Sequence, residues 1–370
     1  MLYLSSGPAF LSYIPSLVIN YENSTTIFFP ITLAIGFATS SVYSAQQTGV
    51  YKVPRTEYGQ PDLQGVWNFS SNTPMQRDSR FGEREFLSPA EVASERVQVK
   101  MEASVAQAAA SKLTINPDAP PKGDDPDNWI SYNDFWTENS AIGDRVRTSH
   151  IVHPKDGRVP EIVEGAVIQY RGRFDVPGTR PVRYALSGIA KDGPEDRGLS
   201  SRCLVGFNSG PPFIPSLYNN NVQIFQNKDT AVIMTEMIHD ARIVPLNKNG
   251  VLDEGVRLWS GDSRGRWDGD TLVVETTNFN GLRETFYPFG SNLNAKLTER
   301  FTRTAHDTVE YTFTIGDPST FTDKITAIVP ITKIEGQLYE FACHEGNYSM
   351  ANILRGQREL ERRNTEATND

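Results

Sequence analysis

The sequence predicts a mainly β protein, an antiparallel barrel or two β-rich halves, with one N-terminal helix. Three observations lead there. Strand-like segments dominate after residue 127, and several are joined by connections short enough for hairpins. Strong helix-start signals occur once, and no strand–helix alternation of the Rossmann or TIM kind is present. The 28 glycines and 23 prolines among 370 residues suit a chain rich in turns. At about 150 residues per domain this length allows two or three domains, or one large β domain.

Residues 1–45 read as a leader. Ile27 to Ala38 is an uncharged apolar run, and Thr39, Ser40, Ser41, Val42, Ser44 and Ala45 follow it, the order of a secretory signal cleaved near Ser44–Gln46. No Lys or Arg precedes Lys52, and 26 residues precede the run. A start codon assigned too far upstream would explain both. Pro30, and a length below the roughly 18–20 residues that span a bilayer, argue against a stable membrane anchor.

Residues 46–127 form an N-terminal arm. Tyr51 to Pro61 is a polar linker, and Asp62 to Phe69 alternates as a first strand. Its Gly65-Val66-Trp67 resembles the opening strand of lipocalin-like barrels, although Trp67 equally suits plain core. Ser88-Pro89-Ala90-Glu91 supplies an N-cap, a proline at the first helical position and a capping-box Glu, so a long helix follows through Leu113 as a scaffold or lid. A loop rich in proline and acid, Asn116 to Asp127, marks the boundary.

The main β domain covers 128–358, with a polar tail over 359–370. Strands are expected at 147–152, 165–174, 222–225, 231–238, 271–277, 297–304, 308–315, 324–331 and 337–343. Trp267-Asp268-Gly269-Asp270 and Ala305-His306-Asp307 are short enough to be hairpin turns. The mature portion is then about 320 residues, one β domain with an arm.

Thirty-six Lys and Arg against 45 Asp and Glu leave a formal charge of −9, which disfavours nucleic acid as a partner. Cys203 and Cys343 are the two cysteines. In an oxidising compartment they form one disulfide closing a loop of about 140 residues, worth roughly 3–5 kcal/mol by loop entropy; in a reducing one they are two buried thiols. No Cys/His cluster has zinc spacing. P-loop, nucleotide-fingerprint and Gly-x-Ser-x-Gly motifs are absent.

Several strings carry candidate chemistry. If Glu236 to Arg242 continues a strand, Asp240 and Arg242 share one face and His239 projects from the other, a general acid or base needing a modest pKa adjustment. Cys343-His344-Glu345 ends a strand beside a glycine turn, where a disulfide would hold His344 rigidly. His239, His344 and Glu345 together offer a minority divalent-metal site, and no cofactor is otherwise expected. Gly261 to Asp270 reads as a strand-connecting loop of internal Asp–Arg pairs, with Arg264 and Asp262 as further candidate substrate contacts. Tyr218, Asn220, Asn221 and Gln223 gather amides at a strand entrance, and Trp136 belongs to an aromatic stretch suited to a pocket wall. His150, His153 and His306 have no evident acidic partner and receive no role.

Arg147-Thr148-Ser149, Asp156-Gly157-Arg158-Val159-Pro160, Ser201-Arg202-Cys203-Leu204, Tyr218-Asn219-Asn220-Asn221, His239-Asp240-Ala241-Arg242, the stretch from Gly261 to Phe279 and Ala342-Cys343-His344-Glu345-Gly346-Asn347-Tyr348 together resemble a large, mostly uncharacterised family of exported bacterial proteins. The resemblance spans roughly residues 55 to 358 and implies export and a β-rich fold, without a reaction. It departs at Asp323-Lys324-Ile325, where the family has an Arg-Pro-Trp group.

The function expected from these residues is an exported, periplasmic or secreted enzyme performing cofactor-independent acid–base chemistry on a small, partly apolar molecule, of lyase, hydratase or isomerase type. His239 is the acid or base, Asp240 or Glu345 orients an imidazole and Arg242 stabilises negative charge. The alternative is a periplasmic, lipocalin-like ligand-binding protein using the same polar groups to orient its ligand.

Overall fold

The computed structural model describes residues 51–110, 142–166, 193–194, 197–247, 250, 252–281 and 293–369. Ten antiparallel strands make one sheet: β1 (Gly65–Asn68), β2 (Ile151–His153), β3 (Asn221–Gln226), β4 (Thr230–Thr235), β5 (Ala241–Pro245), β6 (Asp262–Asp268), β7 (Thr271–Thr277), β8 (Lys296–Ala305), β9 (Thr308–Gly316) and β10 (Ile325–Ile334). Helices α1 (Pro89–Ala110) and α2 (Tyr348–Asn369) lie outside it. The strand order is β5-β4-β3-β1-β10-β9-β8-β7-β6, and β2 is an additional partner of β10.

Period-two burial sets the two faces. Along β8 and β9, Leu297, Glu299, Phe301 and Arg303, then Val309, Tyr311, Phe313 and Ile315, turn inward, and their neighbours are more exposed. Trp67 is fully buried in this core and donates its indole N–H to Leu63 O (2.8 Å). Two-residue turns join the hairpins at both expected places: Asp268 pairs with Thr271 and Ala305 with Thr308.

The sheet curls without becoming a closed hydrogen-bonded cylinder. Its edges meet at one parallel bridge, Leu246 to Gly265, supported by Asn247 N–H to Gly265 O (2.9 Å). No continuous ladder joins β5 to β6 among the described residues, so the barrel expected from the sequence is an open, curled sheet. A side chain at Gly265 would bring its Cβ within 2.6 Å of Leu246 Cδ2 and 2.9 Å of Val244 Cγ1, so only glycine admits this approach.

The interior also holds an ion pair. Arg242 on β5 donates two hydrogen bonds to Glu299 on β8 (2.6 and 3.0 Å), and Tyr311 donates to the same carboxylate (2.7 Å). The pair is nearly dry, with side-chain exposures of 7% and 0%. Burial opposes the charge on Arg242, but the adjoining Glu299 carboxylate outweighs it and the guanidinium holds its proton more tightly than usual. Burial, reinforced by the same carboxylate, keeps the Tyr311 hydroxyl protonated.

Other local expectations meet mixed outcomes. The capping box forms as read: Ser88 N–H donates to Glu91 Oε2 (2.7 Å) and Glu91 N–H to Ser88 Oγ (3.3 Å). Residues 262–268, expected to be a loop, are strand β6, paired in full with β7. Residues 337–343 carry no strand. The polar tail is the end of α2, whose exposed surface is laced with Arg–Glu pairs such as Arg362–Glu359 (2.7 Å) and Arg363–Glu359 (2.8 Å). The strand expected at 165–174 lies largely, and Trp136 wholly, outside the described residues.

Two stability outcomes follow, both read by urea unfolding. Glu299→Ala leaves a buried guanidinium uncompensated and lowers the unfolding free energy by about 3–5 kcal/mol, whereas replacing both partners, Arg242→Met with Glu299→Leu, restores most of it. Gly265→Val drives a side chain into the seam and lowers it by about 1–3 kcal/mol.

Candidate functional site

The residues favoured by the sequence do not assemble into one site. The strand through Glu236 stops at Thr235. A 3-10 turn over Met237–His239 follows, with positive φ at Ile238 (62°) and His239 (44°), and Thr235 N–H bonds to Asp240 O (2.9 Å). The turn separates Glu236 from Asp240, so one continuous strand face from Glu236 to Arg242 does not form; Asp240 and Arg242 both follow the turn, and the Asp240 charge adds to that of Glu299 in holding the proton on Arg242. His239 is exposed, Asp240 accepts from Ser260 Oγ (3.0 Å), and Arg242 is committed to Glu299.

Cys203 and Cys343 form a disulfide, with Cα atoms 5.8 Å apart. It ties the segment before α2 to the loop after residue 197, and Asn347 Nδ2 adds a bond to Ser201 O (2.8 Å). His344 and Glu345 nevertheless stand exposed. Among the described residues no three His, Cys, Asp or Glu side chains gather as ligands for a metal ion, so His239, His344 and Glu345 are not brought together as such a set.

The proposed substrate contacts are mostly structural. Asn220 is fully buried and closes its own loop through Ser216: its Nδ2 donates to Ser216 O (2.9 Å), and its Oδ1 accepts from Ser216 N–H (2.8 Å). Asn221 bridges Asn68 and Glu236 (2.8 Å each). Tyr218 packs edge-on against Phe207, and Gln223 alternates away from the core between buried Val222 and Ile224. Arg264 pairs with Asp262 (2.7 Å) and donates to Gly250 O (2.8 Å), the internal pairing the charge balance suggested, placed on a strand rather than a loop. Asp323 accepts from Lys324 N–H and contacts His153 Nε2 (3.1 Å); these bonds hold its carboxyl below the ordinary range.

A different place has the properties of a site. On the outer face of β10 lies a cavity of about 1180 Å³, with Ile328, Pro330, Thr332 and Ile334 as its floor, the alternates of the core-facing Ala327, Val329 and Ile331. Residues 70–74, 76–81, 86–87, 142–143, 145–148 and 150, with Glu95 of α1, wall it in. Five arginines, Arg77, Arg80, Arg145, Arg147 and Arg158, line it against three carboxylates, Asp78, Glu95 and Glu310. Arg80 contacts Asp78 (3.5 Å) and Arg147 pairs with Glu85 (3.1 Å), while Arg145 lies over the Phe86 ring (3.9 Å).

Arg77 is the unusual member. It is 1% exposed, and its Nη1 donates to Lys155 O (2.7 Å) and Gly82 O (3.2 Å), but Nε and Nη2 are buried with no hydrogen-bond partner among the described residues. Its guanidinium lies against Gly157, where a Cβ would come within 2.8 Å of Arg77 Cζ and φ is +71°. A buried cation with unfilled donors is costly unless an anion completes it.

Beside it, the edge of β10 is divided. β1 pairs with Thr332–Ile334 and β2 with Thr326–Ala327, which leaves Ile328 facing the gap between them. His150 fills this gap: Ile328 N–H donates to His150 O (2.9 Å), and His150 Nδ1 lies 2.7 Å from Ile328 O. A carbonyl can only accept, so Nδ1 carries the proton and the lone pair of Nε2 faces Ser71 Oγ at 2.9 Å. Ser71 Oγ in turn accepts from Thr73 N–H (3.1 Å). Burial chiefly, and the nearby Arg147 charge, push the His150 pKa down to about 4, so the imidazole is neutral at pH 7.

Sequence reasoning passed over both residues because Ser71 and His150 lie 79 positions apart, and the third partner is a backbone carbonyl that no side chain announces. The available signals were Arg147-Thr148-Ser149 directly before His150, and the glycine of Asp156-Gly157-Arg158.

Comparisons of the chain with protein-family models, with curated proteins and with solved structures return no match. Among the described residues no helix is long and apolar enough to cross a membrane.

The depressed pKa fixes a pH dependence. As pH falls, the unfolded chain protonates His150 near 6.5, before the folded one does near 4, so the stability it contributes is complete above about 6.5 and is lost as pH falls towards 4. The gap corresponds to about 3 kcal/mol. Urea unfolding between pH 7 and 4 should show the parent protein losing about that much more stability than His150→Gln, with the carboxylates common to both cancelling in the comparison.

Proposed function

We propose that the protein is an enzyme that holds a small, partly apolar anion in the arginine-lined cavity and performs acid–base chemistry on it without a redox cofactor. The observation that carries this reading is Arg77, a fully buried guanidinium lining the cavity with two nitrogen positions unpartnered. Those donors are closed to solvent, so an anionic group fills them only as the wall around Arg77 shifts to admit it, and it then offsets the cost of burying the charge. The apolar floor of Ile328, Pro330 and Ile334, with Phe81 and Phe86 in the walls, suits a hydrocarbon body attached to that group. The neutral imidazole of His150, rather than His239, takes the part of general base, being buried, oriented and next to a hydroxyl. The Cys203–Cys343 disulfide supports export to an oxidising compartment, in keeping with the signal-like leader and the family resemblance.

The test is calorimetric titration with octanoate, 4-phenylbutyrate and inorganic phosphate as probes. We expect an amphiphilic carboxylate to bind and to raise the melting temperature by mass action. Arg77→Met should bind it at least about tenfold more weakly, the effect of losing a hydrogen bond to a charged group. Binding of equal strength in Arg77→Met, or of no probe by the parent protein, overturns the reading. Ligands that bind through Arg77 but are never transformed by the protein would make it a carrier instead.

A further inference from the structure

We infer that Ser71 is a nucleophile activated by His150, and that the reaction carried out in the cavity is hydrolysis of an ester whose acyl part bears the anionic group. This rests on the cavity reading above and narrows its chemistry to acyl transfer.

Geometry supports each part. Ser71 and His150 both line the cavity, so the hydroxyl is within reach of a bound molecule. The Ser71 Oγ to His150 Nε2 distance of 2.9 Å is that of a nucleophile–base hydrogen bond. His150 is held by a third group, Ile328 O, at 2.7 Å, which fixes the tautomer with its lone pair on Nε2. The backbone N–H of Thr73 occupies one lone pair of Ser71 Oγ, the proton points to Nε2, and the second lone pair is left for attack. A hydroxyl serving only as a structural link between the arm and β10 would need neither a fixed tautomer nor a place on the cavity wall.

The steps balance without a co-reactant other than water. As Ser71 Oγ bonds to the acyl carbon, its proton passes to His150 Nε2 and the carbonyl electron pair moves onto oxygen. Collapse of that tetrahedral species breaks the bond to the leaving alcohol, which takes the proton from Nε2. Water then attacks the acyl-serine by the same route, which releases the acid and restores the Ser71 hydroxyl. Throughout, Nδ1–H stays on Ile328 O, a bond that favours the transient imidazolium. Cavity arginines hold the carboxylate of the acyl part, which sets the reacting carbonyl against Ser71.

The experiment treats the full chain with diisopropyl fluorophosphate, a neutral probe: Ser71 Oγ would bond to phosphorus, fluoride would leave, and the hydroxyl proton would pass through His150. Intact-mass and peptide mapping should find one equivalent of label on Ser71. Ser71→Ala should take up none, and His150→Gln, checked for folding by circular dichroism, should label at least about 100-fold more slowly. Mapping on the unaltered protein decides the matter even if the His150 variant fails to fold. No label on Ser71, or label confined to another residue, overturns the proposal. Because the probe carries no carboxylate, such a failure leaves anion binding through Arg77 standing, and a failure of anion binding leaves the Ser71 result standing.

Discussion

Arg242 and Glu299 meet only because the sheet curls. Arg242 sits on the edge strand β5 and Glu299 on β8, with five strands between them in the sheet order, yet their side chains form a two-bonded ion pair in the dry interior. Pairs of this kind add little net stability against an apolar filling of the same volume, but neither partner tolerates losing the other. They therefore act as a register constraint: a flatter sheet, or β5 slipped by one residue, would strand both charges in hydrocarbon. Gly265 belongs to the same arrangement, since the approach of β6 to Leu246 and Val244 leaves no room for a side chain.

Curling directs the core inward and leaves the outer face of β10 to be covered by something else. The N-terminal arm, over residues 70–87, and the segment 142–158 around β2 together cross that face. Because β1 and β2 share one edge of β10 without meeting, a short length of that edge goes unpaired by strands, and His150 completes it. An interruption in a ladder leaves backbone groups that must be satisfied by other means. Here the imidazole that satisfies one of them is held in a single tautomer next to a hydroxyl. The split edge, the neutral imidazole and the cavity thus share one cause.

Charge is distributed unevenly in the same way. The chain is acidic overall at −9, yet the cavity gathers five arginines against three carboxylates. Net charge governs solubility and long-range encounter, whereas a walled cavity responds to the charges nearest to it. Among the described residues no carboxylate pairs with Arg77, so the local charge of the cavity differs from that of the whole chain. The disulfide does its work elsewhere, tying the segment before α2 to the loop at Cys203 and leaving His344 and Glu345 at the surface.

What the sequence determined by itself was what depends on near neighbours. Strand-like segments marked β3, β4 and β7 to β10 to within a few residues, two-residue turns marked the hairpins at Gly269 and His306, and Ser88 to Glu91 marked the start of α1, since each rests on contacts a few positions apart. The same local logic misled at Glu236 to Arg242, where strand alternation was carried through a turn, and at α2, whose polar surface hides a helix supported by i,i+3 and i,i+4 pairs. Only the tertiary structure decided the strand order, the partner of Arg242 and the site itself. Ser71 and His150 come together across a divided sheet edge, through a carbonyl that every residue possesses, and the unfilled Nε and Nη2 donors of Arg77, which lines the same cavity, are a property of the packed surroundings that no spacing along the chain encodes.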